Sequence, residues 1–212
     1  LNNENIKGYN LPLGATSIMT TGKEYDNIYP VWDWTRIPGT TAIGNQDKTS
    51  LEGYQIGNNE FGGGVSDGVN GIIAYKGKYN ELQANKAYFF FDNMMFCIGS
   101  DISYVQNDNV LTSVEQNLLN GEVIYNDGQE KQLSSNSNMQ LKQLKWVYHN
   151  NTGYIFRGTD NVTIQNMSQA GSWKDINATG ESGLIDKSVF SVWINHGLNP
   201  ENASYQYIVV PD

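Results

Sequence analysis

A chain of 212 residues suits one all-β domain or two small domains, and its 39% hydrophobic and 12% aromatic content is that of a folded protein. The net charge of −9 disfavours nonspecific binding to nucleic acid, which needs clustered Lys and Arg, so we expect no nucleic-acid partner. The one cysteine excludes an internal disulfide, and no apolar run approaches the about 20 residues of a membrane helix, so we expect no membrane span.

Most of the chain consists of short apolar runs separated by clusters of Gly, Asn and Asp, a pattern typical of strands joined by turns. The turns at Asp92-Asn93 and at Asn150–Gly153 are predicted to close hairpins. The predicted strands are Thr16–Thr21, Gly71–Tyr75, Ala87–Phe91, Met94–Ile98, Val110–Glu115, Leu144–His149, Tyr154–Arg157, Val162–Asn166, Val189–Ile194 and Tyr205–Val210.

Two of these runs, Tyr88–Phe91 and Met94–Ile98, are apolar at consecutive positions and do not alternate. A strand with one solvent-exposed face should alternate apolar and polar residues, so we expect both faces of these strands to be covered. This favours an all-β fold with at least two stacked sheets. Val110–Glu115 alternates only partly and is predicted to be more peripheral. The predicted core residues are Phe90, Met95, Cys97, Ile98, Trp193 and Ile208.

An aromatic cluster followed by an arginine is a candidate sugar-binding site. Trp32 and Trp34 lie two residues apart and Arg36 follows them. Two indole rings in a turn-rich context can form a platform that stacks on sugar rings, and Arg can bind a carboxylate beside them. The alternative is that both Trp side chains are core residues, and the sequence leaves the two interpretations open.

The segment Gln55–Gly68 is the densest stretch of Gly and polar residues. Glycines let a backbone approach a ligand closely, so Asn58, Asn59 and Glu60 are candidates to face a substrate. The segment has no Gly-Lys-Ser/Thr and is not a phosphate loop. The alternative is a long connection between strands.

The only histidines, His149 and His196, are predicted to be hydrogen-bonded structural residues. They lack the spacing of a zinc site, and the chain lacks a nucleophile elbow. We therefore expect no metal, no cofactor and no hydrolase triad. Cys97, within an apolar run, is predicted to be a buried packing thiol.

Several segments in colinear order resemble polysaccharide lyase family 8, and most of all its chondroitin AC lyase branch. Together they span nearly the whole chain, which makes the resemblance far more specific than a single Gly-rich match. The segments are Gly14–Met19, Tyr25–Trp34, Ile37–Thr41, Phe61–Gly68, Ala84–Asp92, Cys97–Ile102, Val192–Gly197 and Pro200–Tyr207.

The resemblance covers only the central β-sandwich of the family and implies that residues 1–212 form an antiparallel multi-sheet super-sandwich like that of galactose mutarotase. It also implies cleavage of chondroitin, hyaluronan or xanthan by β-elimination, in a bacterial protein that is secreted or periplasmic. The family's catalytic residues lie in an N-terminal α/α-toroid that this chain does not match, so we assign no catalytic residue here. The implied partners are an acidic polysaccharide and a toroid domain of the same polypeptide.

The resemblance also implies that the sandwich contributes an acidic residue to the cleft. Gln55 is the position that we expect to align with it, or Glu52 if the register shifts, while Asn58 and Asn59 match the polar pair of that loop. The isolated chain is expected to be inactive. The alternatives are a stand-alone carbohydrate-binding or structural module of the same fold, and an unrelated β-sandwich.

Overall fold

The computed structural model describes residues 4–44, 59–79 and 81–212, which form two stacked antiparallel β-sheets. The five-stranded sheet has the order β1-β6-β13-β12-β9, and its strands are β1 (Thr41–Ile43), β6 (Asn109–Leu118), β9 (Ser137–Leu141), β12 (Val162–Gly171) and β13 (Ile185–Leu198). This confirms the all-β, multi-sheet prediction.

The nine-stranded sheet has the order β2-β3-β4-β5-β14-β11-β10-β7-β8. Its strands are β2 (Phe61–Ser66), β3 (Gly71–Tyr79), β4 (Leu82–Phe91), β5 (Met94–Ser103), β7 (Val123–Asn126), β8 (Glu130–Gln132), β10 (Trp146–His149), β11 (Thr152–Phe156) and β14 (Ala203–Pro211). Short 3-10 helices lie at Gly8–Leu13, Tyr29–Val31 and Trp173–Asp175. Within the described residues, no helix is long and apolar enough to cross a membrane.

Both predicted hairpins are present. Asp92 has a φ of 49° in the turn between β4 and β5. Asn150 and Asn151 have φ values of 47° and 59° and form the two-residue turn between β10 and β11. Positive φ at both central residues defines a type I′ turn, whose twist matches that of the flanking strands, and Asn tolerates this conformation better than most residues.

The main core lies between the sheets, where alternate residues of each strand point inward. In β4, Leu82, Ala84 and Tyr88 are buried on this inner face. Across the interface, the ring of Phe190 on β13 lies 6.3 Å from that of Tyr154 on β11. Each large apolar side chain buried in this way stabilises the fold by about 1.5–3 kcal/mol.

A second core lies on the outer face of the five-stranded sheet, where the N-terminal segment 4–44 covers it. Ile28, Trp32, Trp34 and Ile37 of this segment form one buried cluster with Val189 of β13. As a result, β6 is buried on both faces along most of its length. The prediction that Val110–Glu115 is peripheral is therefore wrong, because a covering segment with little regular structure leaves no periodic signal in the strand beneath it.

The outer face of the nine-stranded sheet is not covered in this way. The predicted core residues Met95, Cys97 and Trp193 are buried, but Ile98 and Ile208 lie on this outer face and are only half-buried. Phe90 lies at the turn end of β4 and is 39% exposed. The expectation that these runs are covered on both faces is thus wrong for the described residues, although the stacked sheets that it suggested are present.

The predicted and observed strands differ at several places. No strand forms at Thr16–Thr21, whose backbone is irregular in the N-terminal segment. Conversely, β2 begins with Phe61-Gly62-Gly63-Gly64, which reads as a loop in sequence but forms an edge strand on β3. The strands β1, β7, β8 and β9 were also missed, since they are five residues or shorter and largely polar or interrupted.

Candidate functional site

The predicted cleft loop is described only at its end. Glu52, Gln55 and Asn58 lie outside the described residues. Asn59 precedes β2, and its Oδ1 accepts a hydrogen bond from the Lys78 backbone N–H at 3.4 Å. Glu60 is exposed, and its Oε2 lies 3.6 Å from Lys76 Nζ. The loop therefore runs directly into the edge of the nine-stranded sheet, with its last two polar side chains at the surface.

Trp32 and Trp34 lie in the second core and not on the surface. Their exposed fractions are 8% and 6%, and the two rings pack edge to face with centroids 5.5 Å apart. Trp32 Nε1 donates to the Gln116 carbonyl at 3.0 Å, and Trp34 Nε1 donates to the Tyr29 carbonyl at 3.1 Å. Of the two interpretations that the sequence left open, this geometry shows that both Trp side chains are core residues. Neither indole face is available in this chain for stacking on a sugar.

Arg36 stays near the same cluster. Its guanidinium carbon lies 3.9 Å from the centroid of the Trp193 ring, and its Nε lies 3.3 Å from Asp33 Oδ2. Both ion-pair partners are partly exposed. The structure thus separates the predicted site residues into two groups, because Arg36 and the Trp pair lie over the five-stranded sheet while Asn59 and Glu60 adjoin the nine-stranded sheet.

Sequence reasoning missed a buried carboxyl group. Glu115 on β6 is fully buried and accepts hydrogen bonds from Tyr25 Oη at 2.7 Å and from Tyr154 Oη at 2.9 Å. Burial raises its pKa to about 7, and the hydrogen bonds from the two tyrosines only partly oppose this effect. Glu115 therefore joins the N-terminal segment to both sheets.

A buried lysine was missed as well. Lys86 on β4 is 3% exposed, and its Nζ donates to the carbonyls of Leu13, at 3.3 Å, and Gly39. The neighbouring Tyr88 Oη donates to the Gly14 carbonyl at 2.8 Å. Burial lowers the pKa of Lys86 to about 7. Its position two residues from Ala84 and Tyr88 was the available signal, since period-two spacing places all three on the inner face.

Both histidines are structural, as predicted. His149 Nε2 accepts a hydrogen bond from the Asn120 backbone N–H at 3.0 Å, and His196 Nε2 lies 2.8 Å from Thr112 Oγ1. Burial lowers the pKa of each to about 4, so both are uncharged near neutral pH. Cys97 is free and buried, and burial raises its pKa to about 12, which confirms a packing thiol. No group of three His, Cys, Asp or Glu residues able to hold a metal occurs in the part of the chain that the structure describes.

Two stacked antiparallel sheets, one of them wrapped by an N-terminal segment, define a β-super-sandwich domain. The family model for polysaccharide lyase family 8, super-sandwich domain, matches residues 1–212. The chain therefore belongs to polysaccharide lyase family 8 and represents its super-sandwich domain.

Individual relatives agree with this membership. Chondroitinase-AC of Pedobacter heparinus is 42% identical over 213 residues, which cover 99% of this chain and 30% of that protein. Hyaluronate lyase of Thermasporomyces composti is 26% identical over 221 residues, covering 100% of this chain and 28% of that protein. A chondroitinase AC lyase structure superposes with a TM-score of 0.91 at 41% identity, covering 99% of this chain and 31% of that chain. The chain thus spans less than a third of the length of these relatives.

Proposed function

We propose that the protein that contains this chain cleaves uronic-acid-containing polysaccharides of the chondroitin or hyaluronan type by β-elimination, and that this domain forms part of the substrate cleft. The observation that carries the proposal is the similarity to Chondroitinase-AC, 42% identity over 99% of the chain. The high structural similarity to a chondroitinase AC lyase supports it.

The reaction requires a base for the C5 proton of the uronate, an acid for the leaving oxygen, and neutralisation of the carboxylate. His149 is buried and His196 is partly buried, and the hydrogen bond that each ring makes leaves it poorly placed for such work. We therefore assign the catalytic groups to another domain of the same polypeptide, which the resemblance to the family implies is an α/α-toroid. On the same resemblance we propose that the enzyme acts outside the cytoplasm. This domain contributes the loop that ends at Asn59 and Glu60.

The experiment compares the 212-residue chain with the longer protein that carries the upstream domain. Each is incubated with chondroitin, hyaluronan and xanthan, and the unsaturated uronate product is followed by far-ultraviolet absorbance. We expect product from the longer protein and none from the chain alone. Product from the isolated chain would refute the assignment of catalysis to another domain, and no product from the longer protein would refute the lyase proposal.

The cleft itself is tested in the longer protein with the double variant Asn58→Ala/Asn59→Ala. We expect kcat/KM for chondroitin to fall by about tenfold, because a loss of positioning by about 1 Å can cost up to roughly a hundredfold. The matched control is Asn138→Ala, an exposed asparagine on β9 of the other sheet. Equal kinetics for the double variant and the control would place the cleft elsewhere.

A further inference from the structure

Four side chains lie in a row across neighbouring strands on the outer face of the nine-stranded sheet. Phe61 pairs with Lys76, Lys76 with Asn85, and Asn85 with Ser100. Directly opposed residues of adjacent strands point to the same face, and at about 4.8 Å between strands the row is about 14 Å long. It presents an aromatic ring, an ammonium group, an amide and a hydroxyl in succession.

A trough runs beside this row because the next residues along the strands are small. Gly63, Ala74 and Ala87 occupy these positions on β2, β3 and β4. A Cβ atom placed on Gly63 would lie 3.8 Å from Phe61 Cζ, so the Phe61 ring leans over the glycine. The resulting cavity has a volume of about 230 Å³ and opens to solvent. Its floor is apolar and its rim is polar, which suits a pyranose ring with apolar C–H faces and polar edges.

The polar groups on the rim are available for a ligand. The ion pair of Lys76 with Glu60 is long, at 3.6 Å, and both side chains are largely exposed, so exchanging Glu60 for a ligand carboxylate costs little. Asn85 Nδ2 donates one of its two hydrogens to Asp101 Oδ2 at 2.5 Å and keeps the other for a ligand, while Asn85 Oδ1 is buried and has no hydrogen-bond partner within the described residues. Ser100 and Phe61 are exposed.

We propose that this row and trough form a saccharide subsite that binds one uronic-acid-containing unit of an extended acidic polysaccharide. Lys76 binds the carboxylate, Asn85 and Ser100 bind hydroxyls, and the Phe61 ring packs on the C–H face of the sugar. The class of ligand rests on the proposed function. Asn59 and Glu60 immediately precede Phe61, so the subsite continues from the candidate cleft loop along the sheet.

The test is a titration of the isotope-labelled 212-residue chain with octasaccharides of chondroitin and hyaluronan, followed by backbone amide chemical shifts. We expect shifts centred on Phe61, Lys76, Asn85 and Ser100. Phe61→Ala and Lys76→Gln should each weaken the affinity roughly tenfold, and Lys76→Arg should retain most of it. The matched controls are Val65→Ala and Lys78→Gln, which change the same two strands outside the trough.

Four results would overturn the subsite. The shifts could lie elsewhere or be absent, or the controls could weaken binding as much as the trough variants. Neutral maltooctaose could bind equally well and be insensitive to Lys76→Gln, which would remove the role of the carboxylate. Lys76 could also be shielded from acetylation in the longer protein without saccharide, which would mean that a protein segment covers the row.

Failure of the subsite and failure of the proposed function are distinguishable. If the longer protein forms unsaturated product while the trough variants bind octasaccharides like the parent, only the subsite is wrong. If the trough binds uronate octasaccharides but the longer protein forms no product, the subsite stands and the lyase proposal falls.

Discussion

The outer faces of the two sheets contrast in composition and in burial. On the five-stranded sheet, polar residues are buried: Gln116 Oε1 accepts from the Asp33 backbone N–H at 2.8 Å, and Ser113 Oγ donates to the Arg36 carbonyl at 2.8 Å. On the nine-stranded sheet, apolar residues such as Phe61 and Phe91 are 54% and 43% exposed. Burial therefore follows from which segment covers a face, and a covering segment with free backbone groups selects polar partners beneath it.

The largest expected effect is a difference in unfolding free energy between two tryptophan variants, one on the outer face of each sheet. Trp32→Ala, beneath the N-terminal segment, should lower the free energy of unfolding by about 3–5 kcal/mol, because it leaves a cavity and an unpaired carbonyl at Gln116. Trp146→Ala, half-buried on the outer face of β10, should cost less than half as much. Urea unfolding of both variants measures the difference, and equal losses would break the contrast.

The second prediction concerns the pH dependence of stability that Lys86, a contact of the N-terminal segment, should produce. Burial lowers its pKa from the ordinary 10.5 to about 7, so the folded state disfavours the charged form. Its contribution to stability is present above pH 10.5 and is lost as the pH falls through about 7. Between about pH 9.5 and about pH 7, the parent should lose about 3 kcal/mol relative to Lys86→Met.

The matched control for this prediction is Lys76→Met, which changes a lysine on the exposed outer face of β3. This variant retains Lys86, so it should lose stability relative to Lys86→Met over the same pH range, as the parent does. Parallel pH profiles for Lys86→Met and the parent would contradict the lowered pKa of Lys86.

A smaller effect of opposite sign is expected from Glu115. Burial raises its pKa from the ordinary 4.5 to about 7, so its contribution is present below pH 4.5 and is lost as the pH rises through about 7. Between about pH 5 and about pH 7, the parent should lose about 2 kcal/mol relative to Glu115→Gln. Glu122→Gln, an exposed change, is the control, and a parent that gains stability over this range relative to Glu115→Gln would contradict the prediction.

The sequence predicted strands such as β5 and β14 because their apolar runs are local, but it did not predict which of their faces is covered, and Ile98 and Ile208 are only half-buried. It did not predict that Trp32 and Trp34 are core residues, since that depends on where the N-terminal segment lies. The partners of Glu115 and Lys86 could not be predicted for the same reason, because Tyr25 is 90 residues from Glu115 and Leu13 is 73 residues from Lys86. The period-two spacing of Lys86 indicates only that it faces the core. Contacts between distant parts of the chain leave no spacing signal.

The strand order of the larger sheet constrains how the domain can fold. β14 lies between β5 and β11, and within the part of the chain that the structure describes it alone joins the group β2-β3-β4-β5 to the group β7, β8, β10 and β11. Each group can form from hairpins of low contact order, but the sheet closes only after the residues of β14 are synthesised. During translation, both groups expose the edges that β14 later occupies, and unpaired edges favour association with other chains. The slow, late step in folding should therefore be the insertion of β14.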